Sequence, residues 1–172
     1  MIITMASKAT AIRSALFLAV AAIAAHGSDN TCVYSVYIRT GSIFKAGTDS
    51  NISLAVGDTK GGEVVISDLV SWGGLMGQNY DYFEMGNLDI FSGRGPCLKG
   101  PICSLDLLSD GTGPHHGWYC NYVEVTSTGP HISCDQQNFP VNQWLATDAP
   151  PYQLSFSANR CNYSSAAAAE IM

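Results

Sequence analysis

The chain has 172 residues, of which 47% are apolar and only 13% are charged, so it carries enough apolar material for one packed domain and is not a disordered chain. Its formal net charge is −6, and no run of basic residues could follow a phosphate backbone, which disfavours nucleic-acid binding. The 17 glycines, and the lack of a long amphipathic helical period after residue 30, disfavour a helical bundle and predict an all-β domain.

Residues 1–25 have the features of a secretory signal peptide. Lys8 and Arg13 precede the apolar run 15–25, which is shorter than the roughly 20 residues needed to cross a bilayer. Ala22 and Ala24 provide the small residues of a cleavage site, and an uncleaved anchor is the alternative. We therefore expect a soluble protein that resides in the endoplasmic reticulum or is secreted.

Segments of alternating apolar and polar residues follow from residue 32 onward, separated by turn residues. In 32–40 the even-numbered residues share one face, and in 118–125 we expect the even-numbered residues from Trp118 to Glu124 to share one face. About eight strands at this spacing predict a β-sandwich. The other predicted strands are 51–56, 63–70, 87–91, 105–108, 131–134, 141–145 and 152–156, and the glycine-rich segment 71–79 is predicted to be a surface loop.

The cysteines and two glycan acceptor motifs agree with an oxidising compartment. Six cysteines follow the leader, which predicts a framework of three disulfides, and no Cys-x-x-Cys pair supports structural zinc. The pairing stays open, although the short separation favours Cys97 with Cys103. Asn51 and Asn162 begin the two acceptor motifs. The six cysteines are Cys32, Cys97, Cys103, Cys120, Cys134 and Cys161.

Several separated motifs occur in an order that resembles one family. They are 34–41 (YSVYIRTG), 47–54 (GTDSNISL), 83–84 with 89–91, 110–111, 118–119 and 123–125. In this order they resemble the PLAT domain, also called the lipoxygenase homology domain, over residues 31–147. With the leader and the segment 139–146 (FPVNQWLA), the chain is similar to the small stand-alone PLAT-type stress proteins of plants. Residues 148–172 are then a C-terminal extension with a disordered end.

The resemblance implies a PLAT-type β-sandwich of two four-stranded antiparallel sheets. It implies association with membrane lipids or a protein partner, in a plant response to abiotic or biotic stress, within the endoplasmic reticulum or the apoplast. It also implies a monomer that is not an enzyme, because the sandwich takes up nearly all of the chain after the leader.

Some PLAT domains bind calcium between two loops at one end of the sandwich, where oxygen ligands converge. Asp49 and Asp89 would supply the charge; alternatively, Asp49 caps its own turn and Asp89 is an ordinary surface acid. The matching positions for possible calcium are Gly47, Thr48, Asp49, Gly86, Asn87 and Asp89.

Apolar side chains on loops near that end would provide the membrane or partner contact. Trp72 suits a bilayer interface because its ring is apolar and carries one donor, although loop Trp and Leu side chains also fold back under a domain. Since the acidic chain repels anionic bilayers without calcium, a protein-interaction module without lipid binding is the alternative function. The candidate contact residues are Phe44, Trp72, Leu75 and Met76.

Catalytic functions have little support in the sequence. There is no Gly-x-Ser-x-Gly nucleophile motif, and His115 and His116 are adjacent, so they cannot readily share one metal face in a strand. His26 at a mature amino terminus could hold copper only after cleavage behind Ala25. A small metal-dependent enzyme is therefore the weakest of the three function classes, and calcium is the one cofactor that we expect.

Overall fold

The computed structural model describes residues 31–161, which form a sandwich of two antiparallel four-stranded sheets. The elements are β1 Thr31–Thr40, β2 Ile52–Asp58, β3 Glu63–Ile66, α1 Leu69–Gly73, β4 Leu88–Pro96, β5 Ile102–Ser109, β6 Trp118–Gly129, β7 Ile132–Leu145 and β8 Ser155–Asn159. One sheet has the strand order β4-β1-β6-β7 and the other has the order β3-β2-β5-β8. This confirms the predicted fold class.

The alternation in the sequence builds the core between the sheets. In β1, Tyr34, Val36 and Ile38 are buried, as their shared face predicts, and Leu54 and Val56 meet them from β2 in the other sheet.

The alternation is interrupted in β6, where the prediction was wrong. The register shifts between Cys120 and Tyr122 on both sides of the strand: β6 has one residue more than β1, where these two residues pair with Thr40 and Arg39, and one residue fewer than β7. As a result Trp118 and Cys120 face the core together with Val123, whereas Tyr122 turns outward.

Three element boundaries differ from the prediction. The apolar run 63–70 is not one strand: β3 ends at Ile66, and Asp68 starts helix α1 by accepting a hydrogen bond from the Ser71 amide. The two short strands expected at 131–134 and 141–145 are parts of one strand, β7. The sandwich also extends past residue 147, because β8 pairs with β5.

The cysteine pairing corrects the expected framework. Within residues 31–161 there are two disulfides, Cys32 with Cys97 and Cys103 with Cys161, so Cys97 is not bonded to Cys103. Cys120 is buried and unpaired, and Cys134 is exposed and unpaired. Cys120 opposes Gln143 at one end of β7, whereas Cys134 lies near the other end, so the two thiols stand more than about 20 Å apart and cannot form a third bridge.

Asp58, at the same end of the sandwich as both disulfides, is a buried carboxylate held by four backbone amides. Oδ1 accepts from Lys60 N at 2.8 Å and Gly62 N at 2.7 Å, and Oδ2 accepts from Lys99 N at 2.6 Å and Gly100 N at 2.9 Å. Burial alone would raise the pKa of Asp58, but the four amides outweigh it and lower the pKa below its usual value. Asp58 therefore ties the turn after β2 to the connection between β4 and β5.

The opposite end is formed by four loops, 41–51, 74–87, 110–117 and 146–154. They meet because the strands that they join are antiparallel and begin or end at this edge. Among the described residues, no helix is long and apolar enough to cross a membrane. The predicted leader 1–25, the tail after residue 161 and Asn162 lie outside the described residues.

Candidate functional site

Backbone hydrogen bonds join three of the four loops at the open end. Thr48 N donates to Phe83 O at 3.2 Å, and Asp49 N donates to His115 O at 3.1 Å. Gly47 lies so close to the next loop that a Cβ there would stand 2.9 Å from Glu84 Oε2. A glycine at position 47 thus permits the close approach that brings side chains of distant segments together.

Three carboxylates converge where these loops meet. Asp49, Asp81 and Glu84 each offer an oxygen within 4.8 Å of the oxygens of the others. Two oxygens that bind one calcium ion at about 2.4 Å can be at most about 4.8 Å apart, so this spacing permits a shared ion. We call Asp49, Asp81 and Glu84 the carboxylate cluster. His115 Nδ1 lies 3.0 Å from Asp49 Oδ2 and therefore occupies one oxygen of this cluster.

Asp89 lies beneath this cluster and is not a surface acid. It is fully buried, and its Oδ2 accepts from Phe83 N at 2.8 Å, which fixes the loop that carries Asp81 and Glu84. Burial raises the pKa of Asp89, and the nearby Glu84 charge adds to the rise. Oδ1 has no hydrogen-bond partner, although the Tyr80 hydroxyl is close enough to oppose the rise. An unpaired buried carboxylate oxygen of this kind is compatible with a nearby cation.

A pair of substitutions separates the structural role of Asp89 from a role of its charge. We expect Asp89→Asn to stay within about 1 kcal/mol of the parent at neutral pH, because the amide oxygen can still accept from Phe83 N. Asp89→Ala should lose about 1–3 kcal/mol, because the Phe83 amide is then buried without a partner. Urea denaturation measures both variants.

The pH dependence of stability provides the control for this prediction. Because folding raises the pKa of Asp89, its contribution to stability is present below its unfolded pKa and is lost as pH rises through the folded value. Asp89→Asn should remove that loss. Equal destabilisation by Asn and Ala would contradict the assigned hydrogen bond.

The remaining positions proposed for calcium shape the loops. Thr48 is buried, and its Oγ1 accepts from Ser50 N at 3.1 Å. Gly86 has a φ of +79°, which suits glycine, and its amide donates to Gly41 O. Asn87 Nδ2 donates to Asp81 O at 3.3 Å. The side chains of Thr48 and Asn87 are thus engaged in the loops themselves.

Exposed apolar side chains flank the carboxylate cluster. Phe44 is 81% exposed and Met85 is 51% exposed, and both line a cavity of about 530 Å³ that also includes Glu84 and His115. Ile43, beside Phe44, is 45% exposed. Charged oxygens and exposed apolar groups therefore share one surface.

The other three predicted contact residues do not line this cavity. Trp72 lies in α1 and packs against the core over β4, where its ring covers Gly93. The prediction that Trp72 lies on a surface loop was therefore wrong. Gly93 has no side chain, so it leaves space on β4 that the Trp72 indole fills. Leu75 is exposed, but its amide donates to Ile90 O at the edge of β4. Met76 is half-buried.

Sequence reasoning missed Asp81 and Glu84 as members of the cluster. The sequence did offer a signal for them: two acidic residues stand three positions apart in the segment just before Gly86. The predicted glycan acceptor Asn51 is exposed next to the same loops, and its Nδ2 donates to Ser67 O at 3.3 Å. Its glycosylation stays a prediction.

Comparisons with known proteins agree with this architecture. The family model described as embryo-specific protein 3 (ATS3) matches residues 19–150. PLAT domain-containing protein 1 of Arabidopsis thaliana is 56% identical over 85% of this chain and 81% of its own length. PLAT domain-containing protein 3 of the same organism is 64% identical over 60% of this chain and 100% of its own length.

Among solved structures, a coral 8R-lipoxygenase has a TM-score of 0.55 at 23% identity, covering 74% of this chain and 17% of that chain. This likeness shows the fold and does not carry the lipoxygenase activity over. The two sheets, the matched family model and the identity to small Arabidopsis proteins lead to one conclusion. The chain belongs to the embryo-specific protein 3 family and is a PLAT-domain protein of the plant type.

Proposed function

We propose that this PLAT domain is a non-catalytic module that attaches to membrane lipids through its loop end, and that calcium strengthens the attachment. PLAT domains mediate lipid or protein association, and the loop surface of this chain suits the lipid case. The observation that carries the proposal is the carboxylate cluster beside the exposed side chains of Phe44 and Met85.

The donor set of the cluster suits calcium. All three side chains offer hard carboxylate oxygens at a spacing that one ion can bridge. Asp49, Asp81 and Glu84 would hold the ion, which would supply positive charge for phosphate headgroups. The coral 8R-lipoxygenase is described as activated by calcium through a C2-like domain. Because that likeness extends to the fold alone, the oxygens of this chain carry the inference.

The apolar side chains provide the second half of the contact. Burying Phe44 in a bilayer would contribute roughly 2 kcal/mol, and Ile43 and Met85 stand beside it with nearly half of their surface or more exposed. A formal net charge of −6 opposes approach to anionic lipids, so neutralisation of the cluster must precede insertion. Calcium and the apolar side chains therefore act together.

The proposed setting is the secretory pathway of a plant cell under stress. Two disulfides among the described cysteines support an oxidising compartment, and the predicted leader 1–25 supports entry into the endoplasmic reticulum, with residence there or export to the apoplast. The stress role rests on the resemblance to plant PLAT-type stress proteins.

Co-sedimentation with vesicles tests the proposed function. We expect the oxidised protein to bind vesicles of phosphatidylcholine and phosphatidylserine in millimolar calcium and to be released by chelator. Asp49→Asn/Asp81→Asn should weaken calcium-dependent binding at least about tenfold, because it removes two of three charged ligands. Phe44→Ser should weaken it by a similar factor, because it removes the most exposed of the apolar side chains that would insert.

Matched controls lie on other surfaces of the same domain. Glu63→Gln neutralises an exposed acid of β3, and Val65→Ser removes an apolar side chain that is 68% exposed on that strand. Both should bind as the parent does. Binding that neither chelator nor the paired variant reduces would refute the calcium site, and no binding in any condition would make a protein partner the leading function.

A further inference from the structure

The cavity at the loop end includes residues that have no role in the proposed membrane attachment. Its volume of about 530 Å³ falls in the range of small-molecule sites, and it opens between the loop of Phe44, the segment around Glu84 and the loop after β7. Trp144 and Asp148, on the far wall, belong neither to the carboxylate cluster nor to the exposed apolar group.

An aromatic wall in this cavity is held in place. The Trp144 ring meets Tyr119 edge to face, with 5.5 Å between ring centroids and 78° between planes. Trp144 is half-buried and lines the cavity together with Phe44 and Pro114. The face of an aromatic ring is electron-rich, so it attracts the weakly positive C–H groups on one side of a sugar ring.

Polar groups of both hydrogen-bonding kinds stand among the apolar residues that line the cavity. Glu84 and Asp148 accept hydrogen bonds, Lys45 donates them, and His116 can do either. The two carboxylates, Glu84 and Asp148, disfavour an anionic ligand. A neutral ligand whose hydroxyl groups both donate and accept matches this set.

We propose that this cavity binds a neutral glycosyl group, stacked on Trp144 and hydrogen-bonded by Glu84, His116 and Asp148. The glycosyl group can belong to a glycolipid headgroup or to the end of a soluble or cell-wall oligosaccharide, since the two sources share the same chemistry. This site goes beyond attachment to phospholipids. It shares Glu84 with the carboxylate cluster, but Trp144, His116 and Asp148 lie outside that cluster.

Two variants test the cavity in different ways. Trp144→Ala removes the stacking surface. Gly117→Val fills the space instead. A Cβ at Gly117 would stand 3.4 Å from Ala146 Cβ, 3.7 Å from Asp148 Oδ1 and 4.0 Å from the Trp144 ring, which are van der Waals distances, so the fold should accept the change. Tyr152→Ala is the matched control. Tyr152 is an exposed aromatic residue on the loop 146–154, which also carries Asp148, but Tyr152 does not line the cavity.

Saturation-transfer NMR with a panel of glucosyl and galactosyl disaccharides, including digalactosylglycerol, provides the first readout. We expect at least one sugar to bind at millimolar concentration, Trp144→Ala and Gly117→Val to weaken that binding at least tenfold, and Tyr152→Ala to leave it unchanged. Thermal unfolding of each variant confirms that it is folded. No binding by any sugar, or binding that survives in both cavity variants, would overturn the site.

Vesicles distinguish the two sources and separate this site from the proposed function. If the protein binds phosphatidylcholine vesicles that contain digalactosyldiacylglycerol, and soluble digalactosylglycerol competes, the glycosyl group belongs to a lipid. If the protein binds soluble sugars but not these vesicles, the glycosyl group belongs to an oligosaccharide. Asp49→Asn/Asp81→Asn should weaken calcium-dependent phospholipid binding at least about tenfold but retain sugar binding. Tetramethylammonium is the competing ligand for an aromatic wall. If the parent binds this cation but no sugar, and Trp144→Ala abolishes the cation binding, the glycosyl assignment is overturned.

Discussion

We expect Asp58→Asn to lower the free energy of unfolding by about 3 kcal/mol, because hydrogen bonds to a charged acceptor are worth about 1.5–3 kcal/mol each. The carboxylate accepts four backbone hydrogen bonds, two on each oxygen, and only 4% of the residue is exposed. Asn keeps one oxygen and replaces the other with an NH₂ group that would face two amide donors. At least two amides then lose their partner.

The pH dependence gives this prediction a second test. Because the pKa of Asp58 is lowered in the folded protein, its contribution to stability is present above the unfolded pKa of about 3.9 and is lost as pH falls through the folded value. The difference between the parent and Asp58→Asn should thus be largest near neutral pH and should shrink below about pH 4.

Urea denaturation at several pH values measures both effects, and Asp106→Asn is the control. Asp106 is an exposed acid of β5 whose Oδ1 accepts only from the Ser157 hydroxyl, so we expect less than about 1 kcal/mol of loss. A loss of less than about 1 kcal/mol in Asp58→Asn would show that the four amides find other partners.

The position of Asp58 helps to explain how the domain can keep its loop end free for binding. The carboxylate and both disulfides lie where β2 ends and where β1 and β5 begin, at the end opposite the carboxylate cluster. Stabilising contacts and candidate binding groups therefore occupy different ends of the sandwich. Substitutions of the exposed residues Asp49 and Asp81 should change binding with little effect on the global free energy of unfolding.

The fold could be predicted because strand alternation is a local property of the sequence. The buried residues Tyr34, Val36 and Ile38 follow a period of two that any reader of β1 can see. The shift in β6 could not be predicted in this way, because it depends on how Cys120 and Tyr122 pair with Thr40 and Arg39 of the neighbouring strand β1. Helix α1 was missed because its apolar residues continue the run of β3.

The candidate site was predicted only in part, because its members come from segments distant in sequence. Asp49 was identified from its loop motif, but Glu84 joins it through the close approach at Gly47, which only the folded chain reveals. Asp89 was predicted to be a calcium ligand because it is an acidic residue, yet the alternation of side chains in β4 places it in the core. Asp58 was overlooked because two of its donors, at Lys99 and Gly100, are 41 and 42 residues away.

Removing the Cys32–Cys97 disulfide should have the largest effect on stability, a loss of about 4 kcal/mol in Cys32→Ala/Cys97→Ala. The bridge spans 65 residues, and closing a loop of that size in the unfolded chain accounts for about 4 kcal/mol. Cys32 is also buried in the core cluster, and Gly129 packs directly against the sulfur atoms, so the substitution leaves a gap.

The Cys103–Cys161 bridge provides the comparison. It spans 58 residues, so the loop term is nearly equal, but Cys161 lies beyond the edge strand β8 and is only half-buried. We therefore expect Cys103→Ala/Cys161→Ala to be the milder change, with local opening of β8 before global unfolding. Cys134→Ser, at an exposed unpaired thiol, should leave the urea midpoint unchanged. If Cys103→Ala/Cys161→Ala were the more destabilising pair, the packing of Cys32 against Gly129 would not contribute as argued.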